Sequence, residues 1–250
     1  MFLVLKPNKY LTVTFHNTVI KIRNVLIRSV VYAGFELEKI IYQPPARASA
    51  KQLLQPYGSA IGDYYIRFKK PSETQKVTIK EIDANNYETI VVESVKKILA
   101  ERYEPTAYAW ILNTIDMELI KHGYNLYKDP EDTKKIIEKH KGKEFVLVDV
   151  VEGGKKVKKW WLKDVSSIAH LKNIPLNERI EKTVIDVLRK NVIVTFDNIL
   201  QKIFIEFPNS LTPETDKVVD ILEEYADKTS DGRWMLKSSY RARENQHDIM

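Results

Sequence analysis

Residues 10–17 read Tyr10-Leu11-Thr12-Val13-Thr14-Phe15-His16-Asn17, and residues 63–68 read Asp63-Tyr64-Tyr65-Ile66-Arg67-Phe68. Both runs are β-branched and aromatic, the composition of strands. Between them, Thr18 can cap a helix that carries Val19, Ile22, Leu26, Ile27 and Val30 at helical spacing, with Lys21, Arg23 and Arg28 elsewhere. Gly34 is placed to end that helix. Residues 35–42 then return as a strand, with Leu37, Ile40 and Ile41 apolar. Residues 43–62 form a long connection with Pro44, Pro45, Pro56, Gly58 and Gly62, and Lys69-Lys70-Pro71 stops the last strand. The expected unit is β-α-β-β over residues 1–71, and a loop as long as 43–62 is more often functional than idle.

The pattern changes downstream. Residues 72–86 read as a polar linker. Over 87–170, helical periodicity recurs in Ile90, Val91, Val95 and Ile98, in a second helix opened by Glu104-Pro105-Thr106, and in a third started by Asp129-Pro130. Residues 145–151 and 157–162, joined through Gly153-Gly154, read as a β-hairpin. Three helices and a hairpin give a winged-helix-like module. A similar order fills 176–239, where Ile180, Val184, Val187 and Leu188 share a face. Thr195 caps a second helix, Thr212-Pro213-Glu214 opens a third, and Asp231-Gly232 turns into a short strand. Residues 240–250 read as a tail. The fold class is therefore α/β plus mainly α.

Composition narrows the chemistry. With 44% hydrophobic and 30% charged residues, the chain has the makeup of a soluble globular protein and not of a disordered one. No apolar run approaches the ~20 residues that cross a bilayer, and Met1-Phe2-Leu3-Val4-Leu5 is too short for a signal-peptide core, so a cytoplasmic location without membrane contact is expected. The absence of cysteine excludes disulfides and thiolate chemistry, and the five histidines show no ligand spacing, so no metal site is expected. A net charge of +6 favours an acidic partner such as DNA, although abundant Lys, Glu and Ile also suits a thermophile.

The first seventy residues resemble the end of the catalytic domain in a bacterial and archaeal family of adenine-specific DNA methylases. The matching runs are Lys6-Pro7, Tyr10 to Asn17, Ala33-Gly34-Phe35-Glu36-Leu37, Tyr42-Gln43-Pro44-Pro45, Gln55-Pro56-Tyr57-Gly58-Ser59 and Gly62 to Phe68. Val194-Thr195-Phe196-Asp197 and Asp231-Gly232-Arg233-Trp234 are also similar to C-terminal extensions of such methylases. The resemblance implies a Rossmann-like sheet edge whose last two strands run antiparallel, in an enzyme of the restriction–modification type. It further implies S-adenosylmethionine for the complete enzyme, and DNA and an upstream methyltransferase polypeptide, or a missing N-terminal part, as partners. Yet the chain has eight glycines and no Gly-x-Gly turn, and no Asp-Pro-Pro-aromatic motif to hold a target amino group. Gln43-Pro44-Pro45-Ala46 reads as a rigid turn. No catalytic residue and no cofactor bound by this chain alone are expected.

Candidate contact residues follow. His16 and Asn17 leave the C-terminal end of a strand, where α/β sheets bind ligands; the alternative is a plain strand end and helix cap. In the 43–62 loop and its approach, Tyr42 and Tyr57 could stack on an extruded base while Arg47 and Lys51 meet phosphates; alternatively the tyrosines pack the loop on the sheet. Lys155, Lys156, Lys158, Lys159 and Trp160 form the densest basic-aromatic run, either a phosphate-tracking wing or a solvated hairpin over buried tryptophans. The helix around 212–225 is acidic through Glu214, Asp216, Asp220, Glu223 and Glu224, which suits a protein contact better than DNA. A rival to the methylase reading is an autonomous winged-helix regulator or scaffold.

Overall fold

Strands β1 (Tyr10–His16), β2 (Glu36–Gln43) and β3 (Asp63–Lys69) form a sheet of order β1-β3-β2, with β3 antiparallel to both neighbours. Helix α1 (Ile20–Tyr32) links β1 to β2, so these two run parallel and β3 fills the slot between them. This computed structural model describes residues 1–16, 20–43, 63–72, 80–124, 130–152, 155–169, 174–213 and 215–241. Alternation decides which side chains enter the core: Tyr64, Ile66 and Phe68 are buried, whereas Asp63, Tyr65, Arg67 and Lys69 are half-exposed. Gly34 ends α1 at φ +99°, and an added Cβ there would lie 3.0 Å from the Phe2 ring.

Helix α1 is turned relative to the sequence expectation. Ile27 and Val31 are buried, Ile22 is half in solvent, and Arg23, expected on the solvent side, has no exposed surface at all. Arg23 precedes Ile27 by one turn and Val31 by two, which places all three on one face.

Helices α2 (Ala84–Arg102), α3 (Tyr108–Lys121) and α4 (Pro130–Lys139) precede the hairpin of β4 (Phe145–Glu152) and β5 (Lys155–Leu162), after which comes the short α5 (Ser166–Ala169). Asp83 caps α2 by accepting from the Asn86 N–H at 2.9 Å. Thr106, expected in the first turn of the second helix, instead stays extended. Its N–H and carbonyl pair with the Trp160 backbone at 2.8 and 2.9 Å, and α3 starts two residues later.

The chain divides into two compact units, Met1–Asn173 with Asn209–Leu211, and Ile174–Pro208 with Thr212–Met250. In unit 1 the sheet and the helices share one hydrophobic cluster, joining Ile27, Ile40, Ile66 and Phe68 to Val95, Ile98, Ile111, Ile115, Phe145 and Trp160. The linker expected at 72–86 therefore does not separate two cores. Unit 2 holds α6 (Leu176–Lys190), α7 (Phe196–Glu206), α8 (Thr215–Tyr225), the hairpin β6 (Ala226–Lys228) and β7 (Trp234–Leu236), and the short α9 (Ser238–Arg241). Ile180, Val184, Leu188, Ile199, Ile203, Val218 and Leu222 are buried in it. Thr195 caps α7, and Val194 just before it pairs with Trp234 at 3.0 and 2.8 Å. Unit 2 thus repeats the helical part of unit 1 in outline: helix, one extended residue, helix, helix, hairpin. In both, the extended residue pairs with a tryptophan on the hairpin's second strand. The architecture is mixed α/β with small antiparallel sheets.

Candidate nucleic-acid interface

The β4–β5 ladder pairs Phe145 with Leu162, Leu147 with Trp160, Asp149 with Lys158 and Val151 with Lys156. These eight residues share one face of the ribbon. Its root is core, since Phe145, Trp160 and Leu162 are buried; its distal part is solvent-exposed at Asp149, Val151, Lys156 and Lys158. Trp160, a candidate for DNA contact from the sequence, is a core residue instead. The side chain is 0% exposed and its backbone is tied to Thr106, so it packs in the interior. The opposite face carries Val146, Val148, Val150, Val157, Lys159 and Trp161, all half-buried, with Trp161 edge-on to Tyr103 at 6.4 Å between ring centres. Lys155 opens β5 across from Glu152. The lysines are therefore split between faces, and Lys158 stands across from the Asp149 carboxylate, a pairing that the linear sequence hides.

Neither third helix is a basic reader. In α4, Lys134 pairs with Glu131 at 3.7 Å, Lys135 with Asp132 at 3.0 Å and Lys139 with Glu88 at 2.8 Å. In α8, Asp216, Asp220, Glu223 and Glu224 are exposed; Glu214 lies outside the described residues. Unit 1 contains 29 Lys and Arg against 20 Asp and Glu, and unit 2 contains 11 against 14, so the basic excess resides entirely in unit 1.

At the sheet, His16 Nδ1 lies 2.8 Å from Asp63 Oδ1, joining the C-terminal end of β1 to the start of β3 in open solvent. Tyr42 is in β2 at the register position across from Tyr64. Asn17, Arg47, Lys51 and Tyr57 lie outside the described residues. The two outer strands differ. On β2, the Ile40 N–H donates to Asn209 Oδ1 at 3.1 Å, and Asn209 takes a left-handed φ of 60° in the short turn Asn209–Leu211 that covers this edge. On β1, no strand pairs with the outer edge among the described residues. Leu3 and Val4 are also exposed, and α1 shows Ile22, Val25 and Tyr32 at 47%, 50% and 58% exposure.

Sequence reasoning missed a buried polar cluster between α1, β3 and α3. The Arg23 guanidinium donates to Asn24 Oδ1 at 3.2 and 3.0 Å, to Asn113 Oδ1 at 2.7 Å and to Asp116 Oδ2, and lies 4.8 Å from the centre of the Tyr64 ring. Burial pushes the Tyr64 hydroxyl pKa up, opposed by the charge and hydrogen bond of Arg23. The apolar spacing of Ile27 and Val31, extended back one turn, was the signal that could have found Arg23.

A groove of about 450 Å³ runs beside α2 and the hairpin root, lined by Lys96, Lys97, Glu144, Leu162, Asp164 and Ile168. Of its cations, Lys96 pairs with Glu144 at 3.1 Å and Lys97 with Glu118 at 2.9 Å. Among the described residues no group of three or more His, Asp or Glu is arranged to hold a metal ion, and no helix is long and apolar enough to cross a membrane. No family model, curated protein or solved structure matches the chain.

One acid-sensitive contact ties α2 to the end of α4. Glu88 accepts from Lys139 Nζ and His140 Nε2, both at 2.8 Å, and those hydrogen bonds hold its carboxyl below the ordinary 4.5. A depressed folded pKa stabilises the fold above the unfolded value, and this stabilisation is lost as pH falls through the folded one. The urea midpoint should therefore drop below pH 4.5, and less steeply in Glu88→Gln. Identical pH profiles would remove Glu88 from the acid response.

Proposed function

We propose that this chain is the non-catalytic C-terminal segment, or a separate subunit, of an adenine-specific DNA methyltransferase, ending its Rossmann-like sheet and contributing DNA contacts. One observation carries this reading: a sheet with one edge covered by Asn209–Leu211 and the other unpaired among the described residues, in a unit whose α1 exposes Ile22, Val25 and Tyr32. A bare seven-residue edge is an association site unless something pairs with it. The antiparallel β2–β3 pairing agrees with the resemblance. The two helix–extended residue–helix–helix–hairpin arrangements support winged-helix-like modules; the first is nearly neutral, with 15 Lys and Arg against 14 Asp and Glu over residues 87–170, and its basic groups are concentrated in the hairpin.

The described residues do not fit S-adenosylmethionine. A Rossmann-like cofactor site needs a glycine turn after its first strand. Gly34, Gly123, Gly142 and Gly232 all have positive φ, but they sit at the ends of α1, α3 and α4 and in the β6–β7 turn. Donor binding and methyl transfer belong to the partner polypeptide. Calorimetry of the isolated chain should show no heat of S-adenosylmethionine binding; tight binding would overturn the assignment.

Salt-sensitive DNA binding is expected as well, weakened when Lys155, Lys156, Lys158 and Lys159 are all changed to Gln. Each lost phosphate contact lowers the slope of log K against log salt by roughly 0.9. An unchanged slope would exclude the hairpin. The rival, an autonomous winged-helix regulator or scaffold, draws support from the core shared by sheet and helices in unit 1. Sequence-specific DNA binding by a monodisperse chain without any partner would favour it.

A further inference from the structure

We infer that the β4–β5 hairpin grips the backbone of duplex DNA through one face only, by Lys156 and Lys158, and that Asp149 limits the strength of that grip. The inference rests on the nucleic-acid reading above and specifies its geometry. Strand parity puts Lys156 and Lys158 together, roughly 6.8 Å apart along β5. Both are exposed, whereas Lys159 points to the half-buried valine face with Val146, Val148, Val150 and Val157.

Directly across from Lys158 stands the exposed Asp149, at a position where cross-strand side chains are roughly 5 Å apart at Cβ. At that range a carboxylate cancels much of the lysine's field toward a phosphate, well inside the screening length of about 8–10 Å. Val151, 68% exposed across from Lys156, adds apolar contact with sugar or a thymine methyl group. A two-stranded ribbon fits the major groove, which is roughly 12 Å wide.

The aromatic residues argue for duplex over single strand. Single-stranded nucleic acid is held by aromatic side chains on which bases stack. Trp160 is in the core and Trp161 is half-buried with Tyr103 against it, so neither tryptophan of β5 stands out in solvent as a stacking platform. The exposed positions of the basic face are Asp149, Val151, Lys156 and Lys158, with no Arg, Asn or Gln to pair with base edges. The contact is thus mainly electrostatic.

The test is fluorescence anisotropy of the full chain with a labelled duplex and with its single strand, over a series of salt concentrations. Near-ultraviolet circular dichroism confirms that each variant is folded. Asp149→Asn should tighten duplex binding by about two- to fivefold, the scale of one cross-strand charge pair. Lys156→Gln with Lys158→Gln should lower the salt slope by about 1.8, and Lys159→Gln should leave it in place. Equal losses from Lys159→Gln and the double variant, unchanged affinity in Asp149→Asn, or tighter binding of the single strand would overturn the one-faced duplex grip while leaving DNA binding intact. Binding of neither nucleic acid by the wild-type chain would overturn the nucleic-acid reading with it.

Discussion

Asp116→Ala is expected to cost about 3–5 kcal/mol of stability, because it leaves a buried guanidinium without its counter-charge. The side chains of Arg23 and Asp116 are 0% and 3% exposed, so water cannot take over the lost interaction. Asn24 and Asn113 would still accept hydrogen bonds from Arg23 but carry no charge. The cluster joins the crossover helix of the sheet to α3, so the loss should appear in the unfolding of unit 1. Urea unfolding followed by tryptophan fluorescence reads it, since Trp110, Trp160 and Trp161 all belong to that unit. The double replacement Arg23→Met with Asp116→Leu should recover most of the loss, because apolar residues of similar size remove the unpaired charge. A cost below about 1 kcal/mol for Asp116→Ala would show that the pair is not held dry.

The second large effect concerns assembly. Ile22→Glu with Val25→Lys should change the stability of the isolated chain by no more than about 0.5 kcal/mol, as both positions are half in solvent. On the proposed reading, the same pair should weaken association with a methyltransferase partner about thirtyfold or more, the scale for truncating central interface residues. Titration of a coexpressed polypeptide bearing the glycine-rich turn and the Asp-Pro-Pro-aromatic motif reads the difference. Unaltered affinity would take the α1 stripe out of the interface.

Local features were legible in the sequence. The alternation of β3, the apolar faces of α6 and α7, the Thr195 cap and the glycine end of α1 all follow from neighbours a few residues away. The run Lys155 to Lys163 announced a strand, but its meaning did not emerge without the register. Only the pairing with Phe145 and Leu147 shows which tryptophan is interior, and only β4 supplies Asp149. Thr106 resembles a helix start in its local window, and its partner Trp160 is over fifty residues on. Ile40 finds its capping partner 169 residues later in Asn209. Long-range partners of this kind decide which edges are closed and which counter-charge a buried cation meets, and no periodicity records them. The site reading shares this limit: Lys156 and Lys158 were visible as charges, while their common face and its attenuation were not.

Hydrogen exchange on the strand Tyr10–His16 tests the incomplete-sheet account most directly. The amides of β1 that point away from β3 should exchange freely in the isolated chain and become protected when the proposed methyltransferase partner is added, whereas the Ile40 amide on β2 stays protected throughout. Full protection of β1 in the isolated chain would mean that its border is already closed, and the chain would then be a self-sufficient protein.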